Sequence, residues 1–384
     1  MLRLTIWMNM PSFHQDDVFS ALAQSGEVDL EVIFAKEMTG DRVQLGWKAD
    51  LKGYRYRILK GRFSFLQAMR IAWSERVRLH LVNGIWAEPA FASALCVLGI
   101  SGGVFAIHSE APDPTQHLSW LKLTLRNTFG KMVARRAAGI LAVSHFAVDF
   151  FARLGARKQR LYPFGYFRAS AGLPQASESS SSRARTEIIF VGQLIRRKGL
   201  DVLLEATRPL LAEYADLYLT IVGTGEELLE LEGLIQRSGV EDRITLAGVL
   251  PAEQVRARMS AADVLVLPSR WDGWGMVINE ALSVGVPVIV SDRCGASDLI
   301  RHGANGYVFR SEDVEDLRRC LRDFLDRGDE RARLRSAVDA TAESISAEAA
   351  ARYMTECLKH MTGKRQDRPV PPWMRAAASA SLDR

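Results

Sequence analysis

The sequence predicts an α/β protein made of two doubly wound domains, each a parallel sheet wrapped by helices. Short β-branched apolar runs alternate with helical stretches along the chain, which is the pattern of repeated β-α units. A low-complexity stretch, Ser170 to Ser182, interrupts that alternation; it has too little apolar surface to bury and reads as a linker. The two sides of it differ in charge. Residues 1–170 hold 22 Lys+Arg against 13 Asp+Glu, and subtraction from the totals of 50 and 45 leaves 28 against 32 for the rest. With 384 residues, about half of them apolar, there is material for more than one core. We therefore expect a first domain over 1–169, a linker over 170–186 and a second domain over 187–345. A helix over 346–362 and a disordered tail, rich in Pro, Ala and Arg, over 363–384 complete the expected organisation.

Composition narrows the class. Cys96, Cys294, Cys320 and Cys357 stand far apart, with no Cys-x-x-Cys and no His at metal spacing, so neither a disulfide framework nor a zinc site is expected. A reducing compartment is the simplest expectation. The opening run Met1 to Trp7 is too short for a signal peptide and reads as a first strand. No charge occurs between Glu88 and His108, yet Gly99, Gly102 and Gly103 divide that stretch into a helix over 90–98 and a strand over 104–107, so a membrane-spanning helix is not expected.

In the first domain, strands over 2–8 and 30–34 flank a helix from about Asp16 to Gln24. The turn Asn9 to Asp16 lies at the carboxyl edge of the sheet, where open α/β sheets bind ligands; His14 and Gln15 there are either ligand donors or helix caps. The strand ending at Ile107 delivers His108 to the same edge, where a neutral imidazole can orient a hydroxyl or serve as a structural hydrogen-bonding group. Trp120 to Ala138 carries five cations, no acid and bulky apolar residues at helical spacing, with Gly130 interrupting it. It is either a basic amphipathic helix for an anionic membrane surface or a helix whose apolar face meets the sheet.

The second domain opens on a strand over 187–192, followed by Gln193 to Gly199 with three consecutive cations, Arg196, Arg197 and Lys198, before a helix over 200–211. A turn of this kind suits a diphosphate, which needs neutralisation and close backbone approach. Gly223-Thr224-Gly225 follows another strand, but Leu228 stands where a dinucleotide fingerprint has its third glycine, so NAD is not expected. The stretch on which the chain turns is Ser269 to Leu282, between the apolar runs 262–268 and 287–290. Gly273 and Gly275 open the loop, and Met276 and Val277 begin a helix whose first N–H groups can receive an anion. Asp272 before the helix and Glu280 inside it are eight residues apart, suited to sugar hydroxyls, or else to capping the helix and matching its dipole.

These residues resemble the family 4 retaining glycosyltransferases, whose hallmark is two acids separated by seven residues in a Glu-x-Phe-Gly-like loop followed by Glu-Ala. Asp272 stands where the family usually has Glu, and Gln193 where many members have Arg; Pro163-Phe164-Gly165 replaces a common Pro-Asn-Gly. The resemblance implies a GT-B fold, two Rossmann-like domains facing across a cleft, with the helix over 346–362 crossing back to the first. It implies that Gly192, Gln193, Arg197 or Arg196, Lys198 and the N–H groups of Gly273, Trp274, Gly275, Met276 and Val277 hold the donor and its diphosphate, and that Glu280 binds the ribose hydroxyls. It further implies that Asp272 holds the donor sugar and that His108 lies beside the transferring sugar. No Asp-x-Asp occurs, so no metal is expected, and no cofactor beyond the sugar nucleotide itself.

The expected function is transfer of a sugar, with retained anomeric configuration, from a nucleotide-diphosphate donor to a glycan acceptor in cell-surface polysaccharide assembly. The basic first domain and the Trp120 to Ala138 helix favour a lipid-linked acceptor met by a peripheral enzyme at the cytoplasmic face of a membrane. Nucleic acid is not an expected partner. The rival expectations are a sugar-nucleotide epimerase of the same fold and a non-catalytic sugar-nucleotide-binding subunit.

Overall fold

A computed structural model describes residues 1–40, 51–85, 88–116, 118–167, 185–328 and 331–375, the side chains of residues 13, 14, 331 and 332 excepted. The chain divides into two compact units: one is Met1–Ala169 together with Ile345–Arg384, the other Ser170–Ser344. The expected linker lies, up to residue 184, outside the described residues.

The first unit is built on a seven-stranded, all-parallel sheet in the order β3-β2-β1-β4-β5-β6-β7. Its strands are β1 Leu2–Met8, β2 Val28–Phe34, β3 Arg55–Ile58, β4 Leu79–Asn83, β5 Phe105–Glu110, β6 Ile140–Val143 and β7 Leu161–Phe164. Central strands such as LRLTIWM and ILAV are almost continuous apolar runs because helices cover both faces of a parallel sheet. One face packs against α2 (Ser64–Ser74), α3 (Pro89–Ser101), α4 (Trp120–Arg136) and α5 (Ser144–Arg153), whose Ala68, Phe91, Val133 and Phe151 share a buried core with Trp7, Val82 and Ile107. The sheet's order reverses between β1 and β4, so the carboxyl ends Met8, Asn83 and His108 converge at a switch point, the usual place for a ligand.

Helix α1 (Phe13–Gln24) starts earlier than expected, so His14 and Gln15 belong to its first turn and not to the preceding loop. Helix α3 runs through Gly99 and stops at Gly102, whose φ of 73° is the left-handed C-terminal geometry that glycine tolerates. Gly130 likewise lies buried inside a continuous α4 and does not break it. Among the described residues no helix is long and apolar enough to cross a membrane.

Helix α12 (Ala347–Met361) returns to the first unit, capped by Ser346, whose Oγ accepts from Ala349 N at 3.2 Å. It packs on α1 and pins β7 from behind: Tyr353 Oη donates to Pro163 O at 2.9 Å, and the Tyr353 ring stacks on Phe164 at 5.7 Å. The tail corrects an expectation. Trp373 is buried, with its ring 5.9 Å from Phe167 and 6.2 Å from Tyr353, so the segment through Arg375 is held by aromatic packing. Residues 376–384 lie outside the described residues.

The second unit has a six-stranded, all-parallel sheet in the order β10-β9-β8-β11-β12-β13. Its strands are β8 Thr186–Val191, β9 Leu217–Val222, β10 Ile244–Gly248, β11 Val264–Leu267, β12 Val288–Ser291 and β13 Gly306–Phe309. Helices α6 (Leu200–Glu213), α7 (Leu228–Gln236), α8 (Ala252–Ala261), α9 (Met276–Ser283), α10 (Val314–Leu325) and α11 (Arg331–Ser344) complete the unit. Here too the order reverses, between β8 and β11, and the two loops of interest leave those two strands.

Candidate active site

The loop after β8 is drawn tightly onto its neighbours by glycine. A Cβ on Gly223, the first residue after β9, would stand 1.8 Å from Gly192 O, so Gly223-Thr224-Gly225 serves close backbone packing under this loop. Above it, Arg196–Lys198 form a single 3-10 turn before α6. The three cations part company. Arg196 Nη1 donates to Asp201 Oδ2 at 2.8 Å, away from the second loop's carboxylate. Arg197 Nη1 donates to Trp271 O at 2.7 Å and stands 3.9 Å from Asp272 Oδ2. Lys198 Nζ reaches Asp272 Oδ2 at 2.5 Å. Of the two arginines, Arg197 is the one placed beside the Asp272 carboxylate.

The loop after β11 is stitched to β12's end by main-chain bonds: Asp272 N to Arg293 O at 2.9 Å, Gly295 N to Asp272 O at 3.0 Å, and Ala296 N to Trp274 O at 2.8 Å. Gly275 caps α9 with a φ of 93°, and a Cβ there would meet Cys294 Sγ at 2.6 Å, so no other residue fits without moving the loop. Trp274 turns its ring into the core and donates from Nε1 to Asn279 Oδ1 at 2.7 Å; only its main chain can face a ligand. Met276, Val277 and Glu280 are half-buried on α9, and Gln193 is exposed on the first loop. Lys198 and Asp272 have side chains only 13% and 15% exposed, where their attraction is less screened than at a free surface.

Arg270 was not singled out in the sequence, yet it fastens the two loops together. Its main-chain N donates to Arg197 O at 2.8 Å, and its Nη1 donates to Arg196 O at 2.8 Å. Its guanidinium also forks onto Asp201, at 2.9 Å to Oδ1 and 2.8 Å to Oδ2, and reaches Glu312 Oε1 at 2.9 Å. Burial pushes the Asp201 carboxyl up, but Arg270 and Arg196 more than offset this and hold it below the usual carboxylate range. The available signal was Arg270's place inside the Ser269 to Leu282 stretch.

In the first unit, His108 ends up at the switch point of its own sheet. Its Nδ1 lies 3.1 Å from Asn83 Oδ1, which can only accept, so Nδ1 carries the proton and Nε2 is the lone-pair nitrogen. Nε2 is buried without a protein hydrogen-bond partner among the described residues. The ring meets Phe164 and Tyr166 edge-on, at 5.3 and 6.0 Å. Burial lowers its pKa to about 4, so the imidazole is neutral at physiological pH. His108 and Gln15 line one cavity of about 30 Å³ with Phe164, Tyr166 and Met354. His14 is placed in α1, its side chain outside the described residues.

Two all-parallel α/β units, the second carrying a cation pair and a carboxylate at a helix N-terminus, define a GT-B glycosyltransferase fold. The chain belongs to the family described as glycosyl transferases group 1, whose model matches residues 175–340. It is 31% identical over 261 residues, 64% of this chain and 68% of the relative, to a GDP-mannose-dependent α-(1-6)-phosphatidylinositol monomannoside mannosyltransferase of Mycolicibacterium smegmatis. It is 31% identical over 140 residues, 35% of this chain and 34% of the relative, to an amylovoran biosynthesis glycosyltransferase of Erwinia amylovora. Across the first curated relatives, the chain spans half of their length or less, from 30% to 50%. Among solved structures, it superposes on the Anabaena protein HepE in complex with UDP with a TM-score of 0.70 at 17% identity, covering 94% of this chain and 100% of that one.

Proposed function

We propose that the protein is a retaining glycosyltransferase that moves a sugar from a nucleoside diphosphate donor onto a lipid-linked glycan, in cell-surface polysaccharide assembly at the cytoplasmic face of a membrane. The observation that carries the reading is the cluster of Lys198, Arg197 and Asp272 beside the N-terminus of α9. Two cations and a helix N-terminus suit a diphosphate, and the adjoining carboxylate suits the hydroxyls of the sugar attached to it. The names of the relatives, which include a sugar-nucleotide donor, a phosphatidylinositol-based acceptor and a polysaccharide, support the same class.

In this reading a donor diphosphate draws Lys198 away from Asp272, and the freed carboxylate takes the sugar's hydroxyls. The bond from the anomeric carbon to the phosphate oxygen breaks while the acceptor oxygen bonds that carbon from the same face. The acceptor's proton passes to the departing phosphate oxygen. Negative charge grows on the diphosphate throughout, and Lys198, Arg197 and the α9 N–H groups are already placed to stabilise it. Glu280 is assigned to the ribose, and His108 Nε2 accepts from a sugar hydroxyl.

The lipid-linked part of the reading rests on α4, whose N-terminal half exposes Trp120, Leu121, Leu123 and Leu125 together with Lys122. Only Gly130, Val133 and Ala134, further along, are buried against the core. Incubation with a panel of nucleotide sugars, with and without lipid extracts, tests the function. Release of nucleoside diphosphate and acceptor-dependent transfer with retained configuration are expected; donor turnover that yields only an isomerised sugar nucleotide would replace transferase by epimerase.

A further inference from the structure

Helix α2 is turned inside out. The residues it buries are small, Ala68 and Ala72, while Phe65, Leu66, Met69 and Trp73 point outward and, with the preceding Phe63, are 38–62% exposed. A helix on an ordinary soluble surface shows the reverse arrangement. Val77, just past the end of α2, and Ile100, at the end of α3, the helix packed on α2, are exposed apolar side chains as well. Bulky apolar side chains gathered in this way mark a contact surface.

Charge decides what that contact is. Lys60, Arg62, Arg70 and Arg76 are all exposed around the patch, and Arg76 lies over the Trp73 ring at 5.3 Å. From Leu59 to Ser74 there is no acid; the next one, Glu75, is engaged by Arg57 at 2.7 Å. A two-fold contact with a second copy would set these cations against one another without a counter-charge. A sheet of lipid phosphates, by contrast, accepts cations at its surface and aromatic and aliphatic groups just below it. Helix α4 covers the same face of the sheet, with α3 linked to it by Arg136 Nη1 donating to Gly99 O at 3.1 Å.

We propose that the outer face of α2 is a membrane-docking surface for an anionic bilayer. Phe63, Phe65, Leu66, Met69 and Trp73 enter the head-group boundary, and Lys60, Arg62, Arg70 and Arg76 meet lipid phosphates. This deepens the lipid-linked acceptor reading, on which it rests for its purpose, and it adds an element that α4 alone does not supply.

The test is flotation of the full chain with phosphatidylcholine vesicles, alone or mixed with phosphatidylglycerol, at low and high salt. Binding to the anionic vesicles is expected, and Phe65→Ser with Trp73→Ser should weaken it about tenfold or more, since two large apolar groups no longer leave water. Arg62→Glu with Arg70→Glu should weaken it at low salt and remove most of its salt dependence. An unchanged thermal midpoint in each variant shows that folding is intact. Undiminished binding of both double variants, equal binding to neutral vesicles, or a shift in sedimentation size without lipid when the patch is altered would overturn the proposal. The last outcome would assign the patch to a second copy of this chain. Release of nucleoside diphosphate by the same variants, in the absence of vesicles, reads the transferase separately: vesicle binding without any donor turnover would sink that function and leave the docking surface standing.

Discussion

Lys198 Nζ and Asp272 Oδ2 lie 2.5 Å apart, so the cation assigned to the diphosphate and the carboxylate assigned to the sugar are bonded to each other. In the proposed reading each releases the other when a donor binds, and the two single variants should therefore differ in their effect on free nucleoside diphosphate binding. Lys198→Ala should weaken it by about 10- to 100-fold, the scale of one charge-assisted contact. Asp272→Ala should leave it unchanged or tighter, because it frees Lys198. Calorimetric titration of both variants decides this, and a loss of affinity in Asp272→Ala would contradict the division of roles.

Turnover should follow a different order. Asp272→Ala is expected to cut sugar transfer by about 100-fold or more, and Asp272→Glu to keep part of it, since an added methylene shifts the carboxylate by about an ångström in a positioned site. Initial rates at saturating donor are the measurement. Full activity in Asp272→Ala would remove this carboxylate from the chemistry.

Arg270 should behave as a positioning residue. Arg270→Ala breaks its fork onto Asp201 and the bond to Arg196 O, and is expected to lower stability by about 1–3 kcal/mol while loosening the turn that carries Lys198. Asp201→Asn should cost less on its own. In the double variant the two losses should fall short of additive, because they share one interaction. Denaturant midpoints for the four proteins close the cycle; strict additivity would mean the fork contributes nothing.

Acid should destabilise the first unit through its buried histidines. His80 accepts from Trp7 Nε1 at 3.0 Å and is buried, and burial lowers its pKa, like that of His108, to about 4. The unfolded chain binds these protons near pH 6.5, whereas the folded chain takes them only near 4. Their contribution is therefore fully present above pH 6.5 and is lost as pH falls toward 4, by up to about 3 kcal/mol for each site. Urea melts at pH 7.5, 6 and 4.5 should show the decline, and His80→Gln should flatten it.

Removal of the segment after Thr362 should be felt as loss of core. Trp373 packs on Phe167 and Tyr353, so Trp373→Ala is expected to cost about 2–4 kcal/mol, near the lower end for large aromatic truncations. A melting temperature within a degree of the parent would mean that the segment is only loosely held.

Much of the architecture was readable because parallel strands buried on both faces leave uninterrupted apolar runs, and β1, β8, α9 and α12 begin within one residue of their expected positions. The Ser269 to Leu282 stretch was readable as a strand-loop-helix turn because its glycines stand between two uncharged apolar runs. Side-chain direction was not. Trp274, expected to offer its main-chain N–H, turns its ring inward to Asn279, and Arg270 looked incidental but ties two loops 74 residues apart. Helix α1 began early because Phe13 and His14 carry no helix-breaking feature that the sequence could have revealed. Gly130 looked like a breaker, yet it lies buried within a continuous α4. The tail's Pro, Ala and Arg obscured a single tryptophan, and one aromatic group with a matching pocket is enough to order a short segment.

The return of α12 to the first unit makes that unit discontinuous in the gene, while the second is one uninterrupted stretch. A frameshift or premature stop anywhere in the coding region of the second unit would therefore take away Tyr353, His360 and Trp373 as well, and with them part of the packing around β7. On a ribosome, the amino-terminal half would stay incomplete until the stretch beginning at Ile345 had been added, so the first part to be synthesised is finished only after the whole second unit has been made.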